Sequence, residues 1–344
     1  MSRRRLVLGL LVTAAVAGTV FFYALPRLAG YGSVWREIRL LPTWWIAGLL
    51  GVTALDILTY APPWLVALPG LRLLDALKMT QASTAFSLVV PGGAPLGMGV
   101  SFGMLRSAGF ARAPVAAGVL VTGLWSQVST FLFPAVAVVL LAVQGAGSAT
   151  LRLLAFVGVG ISLFLIAAGI AVFWRERLAA RTGDVAAGVA SRLLRLVGRP
   201  PVGWGGASLV RYRGEVVTLV RRRWISMTVA TLANQLTGYL MLELSVRAFG
   251  IGRAQVSITE TFAAWSIGRL LSSLPITPSG LGVVELGLTG SLVGFGASDA
   301  PAVAAVLVYR ALSLLPTIVL GLLATLTWRR REPNVTIVPT DAEQ

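Results

Sequence analysis

Six stretches of this 344-residue chain run for about 20 residues or more with almost no charge, long enough as helices to cross the hydrocarbon core of a bilayer. They cover approximately residues 6–25, 44–68, 113–143, 151–174, 225–249 and 300–328. The chain is 56% hydrophobic and 12% charged, with mean hydropathy +0.82, whereas soluble domains carry about 25% charged residues. The expected fold is therefore an all-α integral membrane protein. With no cysteine and no histidine, thiol chemistry, disulfides, the commonest zinc ligand and the usual neutral-pH proton shuttle are excluded, and no cofactor or metal site is implied. The formal charge is +16, but the arginines crowd the ends of apolar segments among few aromatics. That distribution suits anionic membrane lipids as partners, not nucleic acid.

The opening "MSRRR" followed by an apolar run also resembles a secretory signal. Because membrane segments fill the rest of the chain, it reads as a retained signal anchor. Two further apolar regions make eight segments in all. "VVPGGAPLG" splits residues 79–106 and "PITPSGLG" splits residues 259–296 into pieces of about 10 to 12 residues, too short to cross. Proline removes a backbone donor and glycine tolerates unusual dihedrals, so each region reads as helix, break, helix. The breaks carry no solvating charge. They are expected to be re-entrant hairpins shielded by protein, since lipid leaves freed backbone groups without partners.

At a constant offset of 187, residues 91–121 match residues 278–308 at eleven of 31 positions, against about three expected from composition. The matches include Pro91 with Pro278, Gly93 with Gly280, Gly109 with Gly296 and Pro114 with Pro301. With the amino terminus inside, 21 basic residues fall on the cytoplasmic side and six outside, while Arg269 and Arg310 remain within apolar segments. The first hairpin then enters from the cytoplasm and the second from the exterior, an inverted repeat. Such repeats with interrupted helices are how many secondary transporters build one midplane site. Each helix beginning after a break offers free N–H groups and a positive dipole end to an anion. Pro91, Gly92 and Gly93 form one tip, and Thr277, Pro278, Ser279 and Gly280 the other, where the two hydroxyls can donate. Structural kinks that merely aid packing are the competing reading.

Charged groups inside apolar segments cost about 2.5 to 3.5 kcal/mol each on insertion scales, so Asp56, Glu243, Glu260, Arg269, Glu285 and Arg310 are expected to face the interior and pair. Arg269 and Arg310, with Arg106 near the first hairpin, are candidate phosphate or carboxylate partners. Glu285 is their counter-charge or a proton-coupling group, and Asp56, Glu243 and Glu260 are coupling or structural charges. A purely structural Glu285–Arg310 pair stays open. Asn234, Gln235 and Thr237 are expected to join helices.

One membrane domain follows. Residues 1–42 hold the signal anchor and an outer loop, 43–174 the first repeat with a following extra span, 175–223 a basic amphipathic linker on the cytoplasmic leaflet, 224–328 the second repeat, and 329–344 a cytoplasmic tail. The stretch "GRPPVGWGGAS" inside the linker reads as a flexible break.

"LVVPGGAPLGMGVSFGMLRSAGF", "SLPITPSGLGVVELGLTGSLVGFGAS" and "AAVLVYRALSLLP" resemble the transmembrane family of lysylphosphatidylglycerol synthase/flippase proteins, the lipid-translocating part of bacterial multiple peptide resistance factors, and its stand-alone relatives. The strongest motif is Pro278, Gly280, Gly282 and Glu285 with Tyr309 and Arg310 downstream. The resemblance implies a multi-pass protein of a bacterial-type plasma membrane, both termini cytoplasmic, that moves a phospholipid or lipid-linked phosphate headgroup between leaflets. These residues do not include the aminoacyl-transferring domain of the bifunctional members, so lipid synthesis is not expected of them, and Met98 stands where the first repeat would match Glu285. A transporter rather than an enzyme is expected, without a nucleotide-binding motif. The alternatives are an integral-membrane enzyme acting on a lipid phosphate through Glu285 or Asp56, and a membrane scaffold. The sequence leaves homo-oligomerisation open.

Overall fold

The structure is a computed structural model that describes residues 31–89, 93–144, 175–195, 205–274 and 277–328, with positions 160, 164 and 167. The expected span 6–25, nearly all of 151–174, the break residues Pro91 and Gly92 and the tail 329–344 lie outside the described residues. Among the described residues the fold is all-helical. In order it comprises α1 (Tyr31–Arg39), α2 (Thr43–Thr59), α3 (Pro62–Ala67), α4 (Leu73–Val89), α5 (Ala94–Ser107), α6 (Arg112–Val143), α7 (Glu176–Arg195), α8 (Gly206–Ala248), α9 (Ile258–Ser273), a 3-10 turn (Pro278–Gly280), α10 (Val283–Gly294) and α11 (Asp299–Thr327).

Among the described residues, three helical stretches are long and apolar enough to cross a membrane: Thr43–Ala67, Arg112–Val143 and Asp299–Thr327. They coincide with the expected spans 44–68, 113–143 and 300–328. The first is not continuous, because Pro62 and Pro63 lack backbone donors and start a new helix, α3, after the turn at Tyr60 and Ala61. The expected span 225–249 is the C-terminal part of α8, which runs for 43 residues, about 64 Å. Its polar side chains face neighbours: Thr237 donates to Asp56 at 2.9 Å and Asn234 to Thr59 at 3.3 Å, joining α8 to α2 as the sequence suggests.

Several boundaries differ from the sequence reading. The hairpin arms have 17 and 14 residues in α4 and α5, and 16 and 12 in α9 and α10, longer than the expected pieces in three of four cases. Helix α4 starts at Leu73, ahead of the expected region 79–106, because Asp75 and Lys78 are compatible with helical backbone. In the linker, α7 packs on the start of α8, where Gly206 N–H donates to Asp184 at 2.6 Å, and residues 206–223 continue without interruption into the rest of α8, while residues 196–204, which hold most of the expected flexible break, lie outside the described residues. The outer loop contains α1, whose Val34 is buried in the main core beside Val303 and Leu292.

The offset of 187 persists in the backbone. Helices α5 and α10 end at Ser107 and Gly294, and α6 and α11 begin at Arg112 and Asp299. Both connections use the same C-terminal closure, with a left-handed glycine at Gly109 (φ 95°) or Gly296 (φ 118°). Phe110 N–H donates to Leu105 O at 3.3 Å, and Ala297 N–H to Leu292 O at 3.0 Å. The leucines that receive these bonds are both fully buried.

Packing follows a crossed pattern. Arms α4 and α5 pack together, as do α9 and α10, while α6 lies against α9 and α11 against α4. Trp328, just past α11, donates to Ser107 at the end of α5 (2.8 Å), and Gln144, just past α6, donates to Thr259 at the start of α9 (2.9 Å). The open end of the first hairpin thus lies beside the start of α6 and that of the second beside its end, about 48 Å apart along a 32-residue helix.

Glycine makes the α4–α11 contact. A Cβ on Gly321 would sit 2.4 Å from Ala85 Cβ and 2.6 Å from Gln81 O. Gly321→Ala is expected to push the helices apart and cost about 1 to 3 kcal/mol in thermal unfolding followed by tryptophan fluorescence. Gly48→Ala, where a Cβ meets open space, should cost nothing.

Candidate functional site

The second break is a tight reversal. Pro278 opens the 3-10 turn, and Ser279 (φ 55°, ψ 15°), Gly280 (φ 65°) and Gly282 (φ 85°) all adopt left-handed backbone before α10 begins. Serine rarely occupies that region, so the surroundings must hold it there. Thr277 Oγ1 donates to Leu281 O at 3.0 Å, and Gly280 N–H to Thr277 O at 3.1 Å. Ser279 Oγ donates to Leu88 O, in the last turn of α4, at 3.2 Å. The second tip thereby touches the first hairpin at its break. Both hydroxyls read from sequence as ligand donors are engaged with backbone carbonyls in this conformation.

Glu285 and Arg310 come together as the sequence suggests. Glu285, 1% exposed, stands in the first turn of α10, where Oε2 accepts from Gly282 N–H at 2.7 Å and Oε1 accepts from Arg310 Nε at 2.7 Å. Arg310 also donates through Nη2 to Ser279 O at 2.8 Å. One carboxylate therefore occupies the positive end of α10, and one guanidinium ties α11 to the strained turn. The pair is a strut for the tip.

Arg269 is different. It sits one turn before the end of α9, half-buried, and its Nε is buried without a hydrogen-bond partner. It makes no salt bridge among the described residues. Its guanidinium lies 6.0 Å from the Trp265 ring centre, and its charge acts on Asp56, Tyr60 and Tyr309. Asp56 Oδ1 and Trp265 Nε1 both approach Gly238, each 3.8 Å from where a Cβ would stand. Helices α2, α8, α9 and α11 thus enclose a polar cluster with one incompletely satisfied cation. Charged guanidinium donors bind phosphate oxygens well, and an open donor in a dry setting is poised to do so.

The other expected residues lie elsewhere. Gly93 has ordinary helical dihedrals (φ −69°, ψ −7°) at the start of α5, and Pro91 and Gly92 fall outside the described residues. Arg106 donates to Phe110 O at the far end of α5. Glu243 pairs with Arg247 at 2.9 Å near the end of α8, leaving Oε2 buried without a partner. Glu260 does not pair across the interior: it accepts from Ser257 N–H at 2.7 Å in a capping box that starts α9. Tyr60 and Trp265 join the cluster without having been expected there, and the one available signal is that Trp265 shares a helix face with Arg269 four residues on.

A family model described as "Lysylphosphatidylglycerol synthase TM region" matches residues 6–321. No curated protein matches the chain.

Proposed function

Because this chain belongs to the lysylphosphatidylglycerol synthase transmembrane family, we propose that it is a lipid flippase, carrying a phospholipid or lipid-linked phosphate headgroup between leaflets while the acyl chains stay in the bilayer. The observation that carries this reading is Arg269 with its buried, free Nε–H, one turn before the end of the helix that leads into the second break. A membrane protein gains nothing from an unpaired cation in that position unless an anion visits it.

The inverted arrangement is part of the proposal. Its support is the matched helix ends at Ser107 and Gly294, the matched starts at Arg112 and Asp299 with their glycine closures, the crossed packing of α6 on α9 and α11 on α4, and the hairpin openings at opposite ends of α6. In this mechanism the headgroup phosphate reaches Arg269 from one face. The strut of Glu285, Arg310 and Ser279 keeps the second tip rigid, and the Ser279–Leu88 contact parts as one repeat rocks against the other. The bacterial-type plasma membrane with cytoplasmic termini, and the re-entrant depth of the hairpins, belong to the same reading.

Reconstitution into vesicles with fluorescent phosphatidylglycerol, quenched from outside, tests it. Exchange faster than in protein-free vesicles is expected. Equal rates would remove the proposal, and chemical conversion of the lipid in detergent, where no leaflets exist, would favour an enzyme instead.

A further inference from the structure

A cleft of about 290 Å³ opens between α2, α4 and α11, away from the Arg269 cluster. Ile57, Leu77, Leu320 and Leu323 make the cleft almost wholly apolar, and Lys78 and Gln81 complete its lining. Gln81 is 3% exposed, yet neither its amide oxygen nor its amide nitrogen has a hydrogen-bond partner. Two orphaned atoms on one buried side chain are what native interiors avoid, and here they lie beneath the wall of an open cleft that Gln81 lines, within reach of it once the side chain turns. Lys78 is half-buried and stands three residues earlier on α4, one turn away on the same face.

We propose that this cleft binds one glycerophospholipid molecule from the membrane. Lys78 takes the phosphate, and the Gln81 amide takes the glycerol and first acyl-ester oxygens, which follow the phosphate at about one helical turn's separation. An acyl chain lies along Leu320 and Leu323, the latter half exposed on the lipid-facing side. The lipid headgroup is chosen over a soluble phosphate because the wall is apolar and a free anion would leave it, and the Gln81 amide, unmatched. Helix α4 leads from Lys78 to Leu88 over ten residues, about 15 Å, and ends at the Ser279 contact. The cleft is therefore the loading site for the headgroup that Arg269 later holds, a role that rests on the flippase reading, whereas the binding itself does not.

The full chain, stripped of lipid in detergent and titrated with phosphatidylglycerol, is followed by native mass spectrometry as wild type, Lys78→Ala, Gln81→Leu and the exposed control Gln255→Ala. Each cleft variant is expected to weaken binding about tenfold, the loss of one charge-assisted or paired bond. The control should bind as wild type, and Gln81→Leu should hold or raise the unfolding temperature. Wild-type binding in both cleft variants would overturn the site, as would competition by inorganic phosphate at concentrations equal to the lipid. Vesicle exchange separates the two claims. Weakened binding in the variants with no exchange even in the wild type keeps the site and removes the flippase. Exchange in the wild type with unchanged binding in the variants does the reverse.

Discussion

Arg310→Ala is expected to lower the unfolding free energy by about 3 to 5 kcal/mol, a large share of the margin by which a typical fold is stable. Two bonds disappear together. Glu285, 1% exposed, keeps its charge with one donor, Gly282 N–H, in place of two, and Ser279 O loses the guanidinium that pins the left-handed turn. Because most of that cost comes from stranding a buried charge, the double variant Glu285→Gln with Arg310→Met should recover the larger part of it. Thermal and denaturant unfolding of the purified protein, followed by tryptophan fluorescence, measures both. A loss below about 1 kcal/mol for Arg310→Ala would mean that the pair behaves as a solvated one and does not brace the turn.

Arg269→Gln is expected to have the opposite profile. Exchange should fall about 10- to 100-fold, the value of one charge-assisted hydrogen bond to a phosphate, while stability holds or rises because a cation with an open buried donor has been removed. Arg269→Lys should restore part of the rate, since an ammonium keeps the charge and loses the planar fork. A merely structural arginine would instead lose stability and exchange in proportion. Exchange at the wild-type rate in Arg269→Gln would remove Arg269 from the site.

The contrast between the two arginines also shows what the sequence could reveal. Both are visible as charges inside apolar segments, and Glu285 is an evident partner because it follows the Pro278–Gly280 break by about one turn. Which arginine it takes is a matter of tertiary packing, since α11 passes the turn and presents Arg310 to it, whereas Arg269, near the end of α9, faces Asp56 and Trp265. The repeat was legible because scarce prolines and glycines recur at a fixed spacing, and the Gly109 and Gly296 closures carry that spacing into the backbone. Helix starts were less legible. Glu260 looks like a charge stranded in apolar sequence, but Ser257 three residues earlier completes a capping-box pattern that the structure bears out. Likewise the region expected to begin at residue 79 begins at Leu73, and Asp75 and Lys78 lie within α4. The Thr277 and Ser279 hydroxyls could be placed at the tip from sequence, but not their acceptors, because Leu88 is 191 residues away from Ser279.

The meeting of the two breaks is open to direct measurement because the chain contains no cysteine. In a Leu88→Cys and Ser279→Cys double variant, a short thiol-reactive reagent with a reducible bridge is expected to join the two positions within one chain and stop leaflet exchange, with the rate returning on reduction. Failure of the two thiols to join, or undiminished exchange in the joined protein, would contradict a shared site between the tips, on which transport by this chain depends.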